Sequence, residues 1–278
     1  MLNTRALMEK LGGKLSLPSL PEVVMHMQEL LRDPDCGMKD LGKVLQDDPP
    51  LAARVLRIAN SAFYSLRVPI LDISHGAAIL GLDTLQTVVM QVAVVDLFSH
   101  IDGHPTFDPR RLWRHAVLTA RMAASFPPRL FREVTKDEVY VCGLLHDIGK
   151  FVMFDNMRVE FARASLTATV GHQPLHRVER ETFGFTHADV GALVAERWGL
   201  PSTAVKAIGG HHNERVADAD NDLVVLIAAA NHIANQMLDA KHPRMESKLP
   251  SAIVDRLKLD EDELEALVEM AFEIRNED

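Results

Sequence analysis

The sequence predicts an all-α protein, and three observations lead to this fold class. After Pro21, the apolar residues Val24, Met27 and Leu31 recur at the spacing of one helix face, with proline at the helix start. Alternating runs of β-branched residues bounded by hairpin turns, which are typical of strands, do not occur. Ala, Leu, Met, Glu and Arg dominate the chain, and all five residue types favour helices.

The predicted helices follow one another along the whole chain. Pro49 and Pro50 open a second N-terminal helix that extends to Ala59. The segment 99–110, which contains two prolines and a glycine, is the best candidate boundary and divides the chain into domains at residues 1–105 and 106–278. Beyond it, helices are predicted over Leu112–Ser125, Lys136–Phe154, Arg158–Ala168, His187–Trp198, Ser202–His211 and Asp222–Leu238, with a last helix that starts at Asp260.

Charge and hydropathy exclude two classes of function. The formal net charge of -9 opposes general binding to DNA or RNA, because backbone binding needs a surplus of Lys and Arg. A small phosphate-containing ligand in a locally basic pocket remains compatible with this charge. The N-terminus has no apolar signal core, and the longest apolar stretch, near residues 88–97, is far shorter than the ~20 residues of a membrane span. We therefore expect a soluble, cytoplasmic protein that binds neither nucleic acid nor membrane.

Five of the thirteen histidines lie within apolar helical sequence, namely His115, His146, His187, His211 and His212. A buried imidazole needs a hydrogen-bond partner or a metal, and a single such histidine is more often a satisfied core residue than a ligand. Five of them together, with Asp147 and Lys150 next to one of them, favour a metal site. Imidazole and carboxylate suit Fe, Mn, Ni or Zn. At helical spacing, Lys150 lies beside His146 and Asp147, where a phosphate oxygen would bind.

The order of these residues resembles the HD superfamily of metal-dependent phosphohydrolases. His115 followed by His146-Asp147 has the pattern of that superfamily, and the string HDIGK at residues 146–150 is shared with its HD-GYP branch. His187 and the pair at 211–212 fall where HD-GYP enzymes carry additional metal ligands. The resemblance implies a helical bundle of the HD type in the C-terminal half.

The N-terminal half is similar to the HDOD family, whose name stands for HD-related output domain. Four stretches carry the resemblance: LPSLP at 17–21, DPPLAARVL at 48–56, NSAFY at 60–64 and AAILG at 77–81. The resemblance covers roughly residues 10–240. It implies an N-terminal helical bundle packed on the HD-type bundle, and a regulatory role in bacterial signalling through protein partners, since no general catalytic activity is established for the family.

The chain departs from the HD enzymes at two places. Where they have a metal-binding Asp on a late helix, this chain has Asn231, followed by His232, which is the other candidate ligand there. A neutral amide oxygen binds a divalent cation more weakly than a carboxylate does. After His212 the Gly-Tyr-Pro element of HD-GYP enzymes is missing, so we expect cyclic di-GMP hydrolysis to be absent or barely detectable.

Two functions of different class are consistent with these residues. The favoured one is a regulatory, non-catalytic protein that acts through signalling partners and binds one or two divalent ions. The alternative is a metal-dependent phosphohydrolase in which Asp147 bridges two ions and Lys150 balances the charge of the phosphate. In both, the expected metal ligands are His115, His146, Asp147, His187, His211, His212 and Asn231. A buried hydrogen-bond network of the same residues without metal is the remaining interpretation.

Overall fold

A computed structural model describes residues 16–31, 33, 37, 40, 44–45, 48–61, 64, 69–70, 79–99, 101–131, 134–239 and 249–277. Within these residues the secondary structure is helical, and the only β feature is an isolated bridge between His104 and Phe107. The predicted all-α class is therefore confirmed. None of the helices in these ranges is long and apolar enough to cross a membrane.

Residues 19–100 form one compact unit. Its helices are α1 (Glu22–Leu31), α2 (Pro49–Ala59) and α3 (Leu82–Phe98), and both α1 and α2 pack on α3. The two predicted helix starts after proline are confirmed. Asn60, from the NSAFY stretch, accepts a hydrogen bond from Ile70 N at 2.7 Å and donates one to Ile70 O at 2.8 Å, which ties the end of α2 to the chain ten residues later. Residues 62–63 and 77–78 of the motifs lie outside the described ranges.

The second unit contains the described residues 16–18 together with the chain from Ile101 onwards. Helix α11 (Asp222–Asp239) lies at the centre of its apolar core and packs on α4 (Pro109–Ala124), α5 (Lys136–Leu145) and α10 (Ser202–Gly210). The helix that begins after Asp260 starts with the predicted reciprocal pair, in which Asp260 and Glu263 accept each other's backbone N–H. The helices are α4 (Pro109–Ala124), α5 (Lys136–Leu145), α6 (Ile148–Asn156), α7 (Arg158–Val170), α8 (Leu175–Phe183), α9 (His187–Arg197), α10 (Ser202–Gly210), α11 (Asp222–Asp239), α12 (Ser251–Leu257) and α13 (Glu261–Glu277).

The prediction of a single helix over Lys136–Phe154 is wrong, because in the structure this segment forms two helices, α5 and α6. The break falls on His146 and Asp147, and the ring Nδ1 of His146 donates to Gly143 O at 2.6 Å at the end of α5. Beyond the break, α6 packs so closely on α9 that a Cβ on Gly149 would lie 1.9 Å from the backbone oxygen of His187. The change of helix direction therefore brings the HDIGK segment against α9.

Candidate metal centre

The predicted ligands lie at the ends or on the inner faces of six different helices and converge on one buried place. His146 and Asp147 occupy the break between α5 and α6, and their exposed fractions are 0% and 1%. His187 is the first residue of α9, at an N-terminus held by a reciprocal pair between Thr186 and Asp189. The other ligands are His115 on α4, His211 and His212 directly after α10, and Asn231 on α11.

One group of ligand atoms surrounds the Oδ2 oxygen of Asp147. This oxygen lies 3.3 Å from His146 Nε2 and 3.5 Å from His115 Nε2, and the two imidazole nitrogens are 3.2 Å apart. Asn231 Oδ1 is 3.0 Å from His115 Nε2. With metal–ligand bonds of 2.0–2.2 Å, neighbouring ligand atoms in tetrahedral or octahedral geometry are about 3.0 to 3.5 Å apart. The spacing of this group is therefore that of a metal coordination sphere.

A second group surrounds the other oxygen of the same carboxylate. Asp147 Oδ1 lies 3.2 Å from His187 Nε2 and 3.7 Å from His211 Nε2. His212 Nε2 is 3.1 Å from His187 Nε2. Asp147 therefore belongs to both groups of possible metal ligands, each of which has its atoms within 4.8 Å of one another. This is the arrangement of a carboxylate that bridges two ions.

Hydrogen bonds on the far side of two rings fix which nitrogen faces the centre. Nδ1 of His146 donates to Gly143 O at 2.6 Å, and Nδ1 of His211 donates to Ile208 O at 2.7 Å. In the neutral ring, Nε2 then carries a lone pair that points towards Asp147. Buried His211 Nε2 and Asp147 Oδ1 have no hydrogen-bond partner within the described part of the chain. Two acceptors that face each other in this way would fit a cation between them.

Burial and neighbouring charges place several of these groups in the protonation state that metal binding requires. Burial lowers the pKa of His115 to about 3 and that of His211 to about 4, so both rings are neutral. Burial alone would raise the pKa of Asp147, but the neighbouring His146 and Lys150 hold it well below its usual value. His115 and His211 thus offer neutral imidazoles and Asp147 an ionised carboxylate, a donor set that suits transition metals.

Two residues of α8, a helix that the sequence pattern did not predict, complete the surroundings of the ligands. Glu179 is fully buried, and its Oε2 accepts from His187 Nδ1 at 2.6 Å and from His187 N at 2.9 Å. Burial alone would lower the pKa of His187, but Glu179 and Asp147 raise it. The ring of His176 stacks on that of His212 at a centroid distance of 4.2 Å. No sequence signal separates Glu179 from Glu181, the exposed glutamate of the same helix.

The amide of Asn231 is oriented by its neighbour on α11. Asn235 Nδ2 donates to Asn231 Oδ1 at 2.9 Å, so the amide oxygen accepts on the side that faces His115. His232, the other candidate ligand, belongs to neither group of ligand atoms, and its Nε2 lies 2.6 Å from Gln236 Nε2. Of the two candidates on α11, it is therefore the oxygen of Asn231 that lies beside the first group of ligand atoms.

Lys150 connects the buried cluster to a solvent-accessible cavity. Its Nζ lies 2.6 Å from Asp147 Oδ2, and its side chain is 18% exposed. The cavity has a volume of about 320 Å³ and is lined by Lys150, His115 and Arg111, with Ser165, Gln173 and Asn235 among the other residues. An anionic group in this cavity can reach both Lys150 and the first group of ligand atoms, which contains His115.

Comparisons with known proteins agree with this geometry. An HDOD domain protein with unknown function from Geobacter sulfurreducens superimposes with a TM-score of 0.80 at 29% identity, over 98% of this chain and 96% of that one. A protein from Shewanella amazonensis that is provisionally named a phosphohydrolase has a TM-score of 0.75 at 26% identity, over 96% and 93%.

Curated sequences and a family model extend the comparison. A protein of Treponema pallidum (strain Nichols) is 25% identical over 230 residues, which are 82% of this chain and 44% of that protein. The chain spans less than half the length of the curated relatives it matches. The model of the HDOD domain matches residues 17–214, which is more than half of the sequence. The chain therefore belongs to the HDOD domain family.

Proposed function

We propose that this chain is a regulatory HDOD protein whose buried centre holds one or two divalent transition-metal ions and binds a phosphate group of a small ligand. One observation carries the proposal: the two oxygens of Asp147 belong to two separate groups of imidazole nitrogens. A single buried carboxylate between two such groups is suited to hold two cations close together. Fe, Mn, Ni and Zn all match the donor set of nitrogen and oxygen.

The side chains around the centre have distinct roles in this proposal. A bound divalent ion attracts phosphate oxygens and lowers the pKa of a coordinated water. Lys150 places a positive charge at the boundary between the centre and the cavity, where it would bind a phosphate oxygen. His115 lines the same cavity, so the first ligand group is the one that a phosphate would approach. Glu179 holds the ring of His187 in place.

The output of the protein is proposed to run through a signalling partner protein in the cytoplasm. Support comes from the family, whose members act in signalling, and from the neutral amide at Asn231, which weakens the case for catalysis. In this view, binding of metal and phosphate stabilises the helices that meet at Asp147, and the partner recognises the stabilised form.

A second function, metal-dependent phosphoester hydrolysis, is favoured by a specific feature. A bridging carboxylate between two metal positions is the arrangement that clamps the attacking and leaving oxygens of a phosphoryl transfer. The similarity to the Shewanella amazonensis protein points in the same direction. Hydrolysis of an aryl phosphodiester or phosphomonoester by the purified chain would establish this function.

Elemental analysis of the purified chain tests the proposal. We expect one or two equivalents of transition metal in the wild type, loss of metal and a lower melting temperature in His146→Ala, and no change in His26→Ala, whose exposed ring lies on α1. A wild-type chain that takes up none of Mn, Fe, Ni or Zn would refute the metal centre. A chain that holds metal and also hydrolyses phosphoesters rapidly would replace the regulatory role by the catalytic one.

A further inference from the structure

A second, more basic cavity lies next to the first one. It has a volume of about 220 Å³ and is lined by Arg111, Arg114 and Arg275, together with Leu118 and Leu238. Arg111 and Leu238 also line the cavity beside Lys150, so the two cavities are neighbours. The arginines come from α4 and α13, which pack on each other. Three guanidinium groups thus surround one cavity in a chain whose net charge is -9.

Two of these three arginines are not neutralised by ion pairs with acidic side chains of the described residues. In the described part of the chain, neither Arg114 nor Arg275 takes part in an ion pair, and both side chains are exposed. Arg111 lies in the first turn of α4, which contains no acidic residue. A positive charge there opposes the helix dipole, so helix stability does not explain this placement. Like charges around one cavity are the arrangement that binds an anion, since guanidinium forms paired hydrogen bonds with phosphate or carboxylate oxygens.

We infer that the ligand of this chain carries two separate anionic groups, one held at the metal centre and Lys150, and the other held by Arg111, Arg114 and Arg275. The inference rests on the proposed function for the first group and on the basic cavity for the second. Arg111 lines both cavities, so one small ligand can place an anionic group in each of them. A nucleotide with phosphates on both sides of its ribose has this chemistry.

The size of the cavities supports the same conclusion. Sites for small ligands usually have volumes of about 300–1,000 Å³. The cavity beside Lys150, at about 320 Å³, is at the lower end of this range, and the basic cavity, at about 220 Å³, is below it. A ligand that extends from one into the other fills a volume typical of nucleotide-sized compounds.

Calorimetric titration of the metal-bound chain tests the inference. It measures the affinities of adenosine 3′,5′-bisphosphate and of adenosine 5′-monophosphate, which are then compared. We expect the wild type to bind the bisphosphate at least about tenfold more tightly, because the second phosphate gains charge-assisted hydrogen bonds. The double variant Arg114→Gln with Arg275→Gln should bind both compounds equally, with its affinity for the monophosphate within about twofold of the wild type. Arg110→Gln is the matched control, since Arg110 is exposed on the same helix and lines neither cavity.

Three results would overturn the inference: equal binding of the two compounds by the wild type, a double variant that loses both to the same degree, and no binding of either. His146→Ala separates this inference from the proposed function. If that variant loses its metal but binds the monophosphate as the wild type does, the metal centre is not the first phosphate site. The dependence of bisphosphate binding on Arg114 and Arg275 still decides whether the basic cavity takes the second anionic group.

Discussion

Glu179 gives the sharpest test of the metal centre, because it contacts a ligand without being one. Its carboxylate accepts two hydrogen bonds from His187, one from the ring and one from the backbone. In Glu179→Ala both buried donors lose their partner, and each costs about 1 to 3 kcal/mol, so we expect a loss of about 2 to 6 kcal/mol in the free energy of unfolding. The ring of His187 also loses its orientation, and metal affinity should fall by about 10- to 100-fold.

The variant Glu179→Gln separates the charge of this side chain from its shape. Glutamine keeps an oxygen acceptor and nearly the same volume, so its cost in folding should be well below that of alanine. Glutamine lacks the negative charge that makes the ring of His187 a stronger metal ligand. Metal affinity should therefore still fall, by about tenfold. Urea denaturation with and without a chelator measures stability, and competition with a coloured chelator measures affinity.

Glu181→Gln provides the matched control, because Glu181 lies on the same helix with its side chain exposed. This substitution removes the same charge two residues away and should leave both measurements unchanged. If both glutamine variants bound metal as the wild type does, the charge of Glu179 would have no part in metal binding. If Glu179→Ala also did so, Glu179 would have no part in holding His187. If Glu179→Gln and Glu181→Gln lost metal equally, the loss would result from the reduced negative charge of α8 as a whole. The specific hydrogen bonds of Glu179 would then not be its cause.

Three further predictions concern the centre and the helices that form it. Asn231→Asp should raise the metal content measured by elemental analysis, because a carboxylate binds a divalent ion more strongly than an amide does. Gly149→Ala should destabilise the chain severely, since its Cβ would lie 1.9 Å from His187 O, whereas Gly103→Ala, where the nearest atom is 3.9 Å away, should melt as the wild type does. Without metal, stability should fall as the pH drops from 6.5 towards 4, because burial keeps the pKa of His211 at about 4 in the folded chain and the unfolded chain takes up the proton first. The slope for one such histidine is about 1.4 kcal/mol per pH unit. The raised pKa of His187 acts in a different range, because the stability it contributes is fully present below pH 6.5 and is lost only as the pH rises above it. Urea titrations between pH 6.5 and 4 with a chelator present would measure the slope.

The residues that the sequence predicted as ligands could be identified because their signal is local. A histidine within an apolar helical stretch is buried, and a buried imidazole needs a partner, whichever way the helices pack. The contact between Lys150 and Asp147 is also local, since three residues separate them. It exists in the structure although the predicted helix is broken, because Asp147 is the residue directly before α6 and its backbone oxygen accepts from Lys150 N at 2.9 Å.

The features that the sequence did not predict depend on contacts between distant segments. Glu179 and Glu181 look alike in the sequence LHRVERETF, and only the packing of α8 on α9 buries the first and exposes the second. No proline lies at the break at His146, so the sequence gives no signal for it. It follows from the approach of α6 to α9, for which Gly149 leaves room. The basic cavity likewise needs Arg275, which lies more than 150 residues after Arg114.

The charge of the centre explains how Asn231 can favour binding over turnover. The centre contains the carboxylate of Asp147, with Glu179 behind His187, while the imidazoles that surround it are mostly neutral and Lys150 is positive. Two divalent ions would bring more positive charge than two carboxylates neutralise, and an excess charge in a buried site must be balanced by an anion. A carboxylate at position 231 would supply part of that balance, whereas the amide leaves it to the bound phosphate. Asn231→Asp should therefore bind metal more tightly but release phosphate more readily, and a variant that retained phosphate more firmly than the wild type would contradict this account.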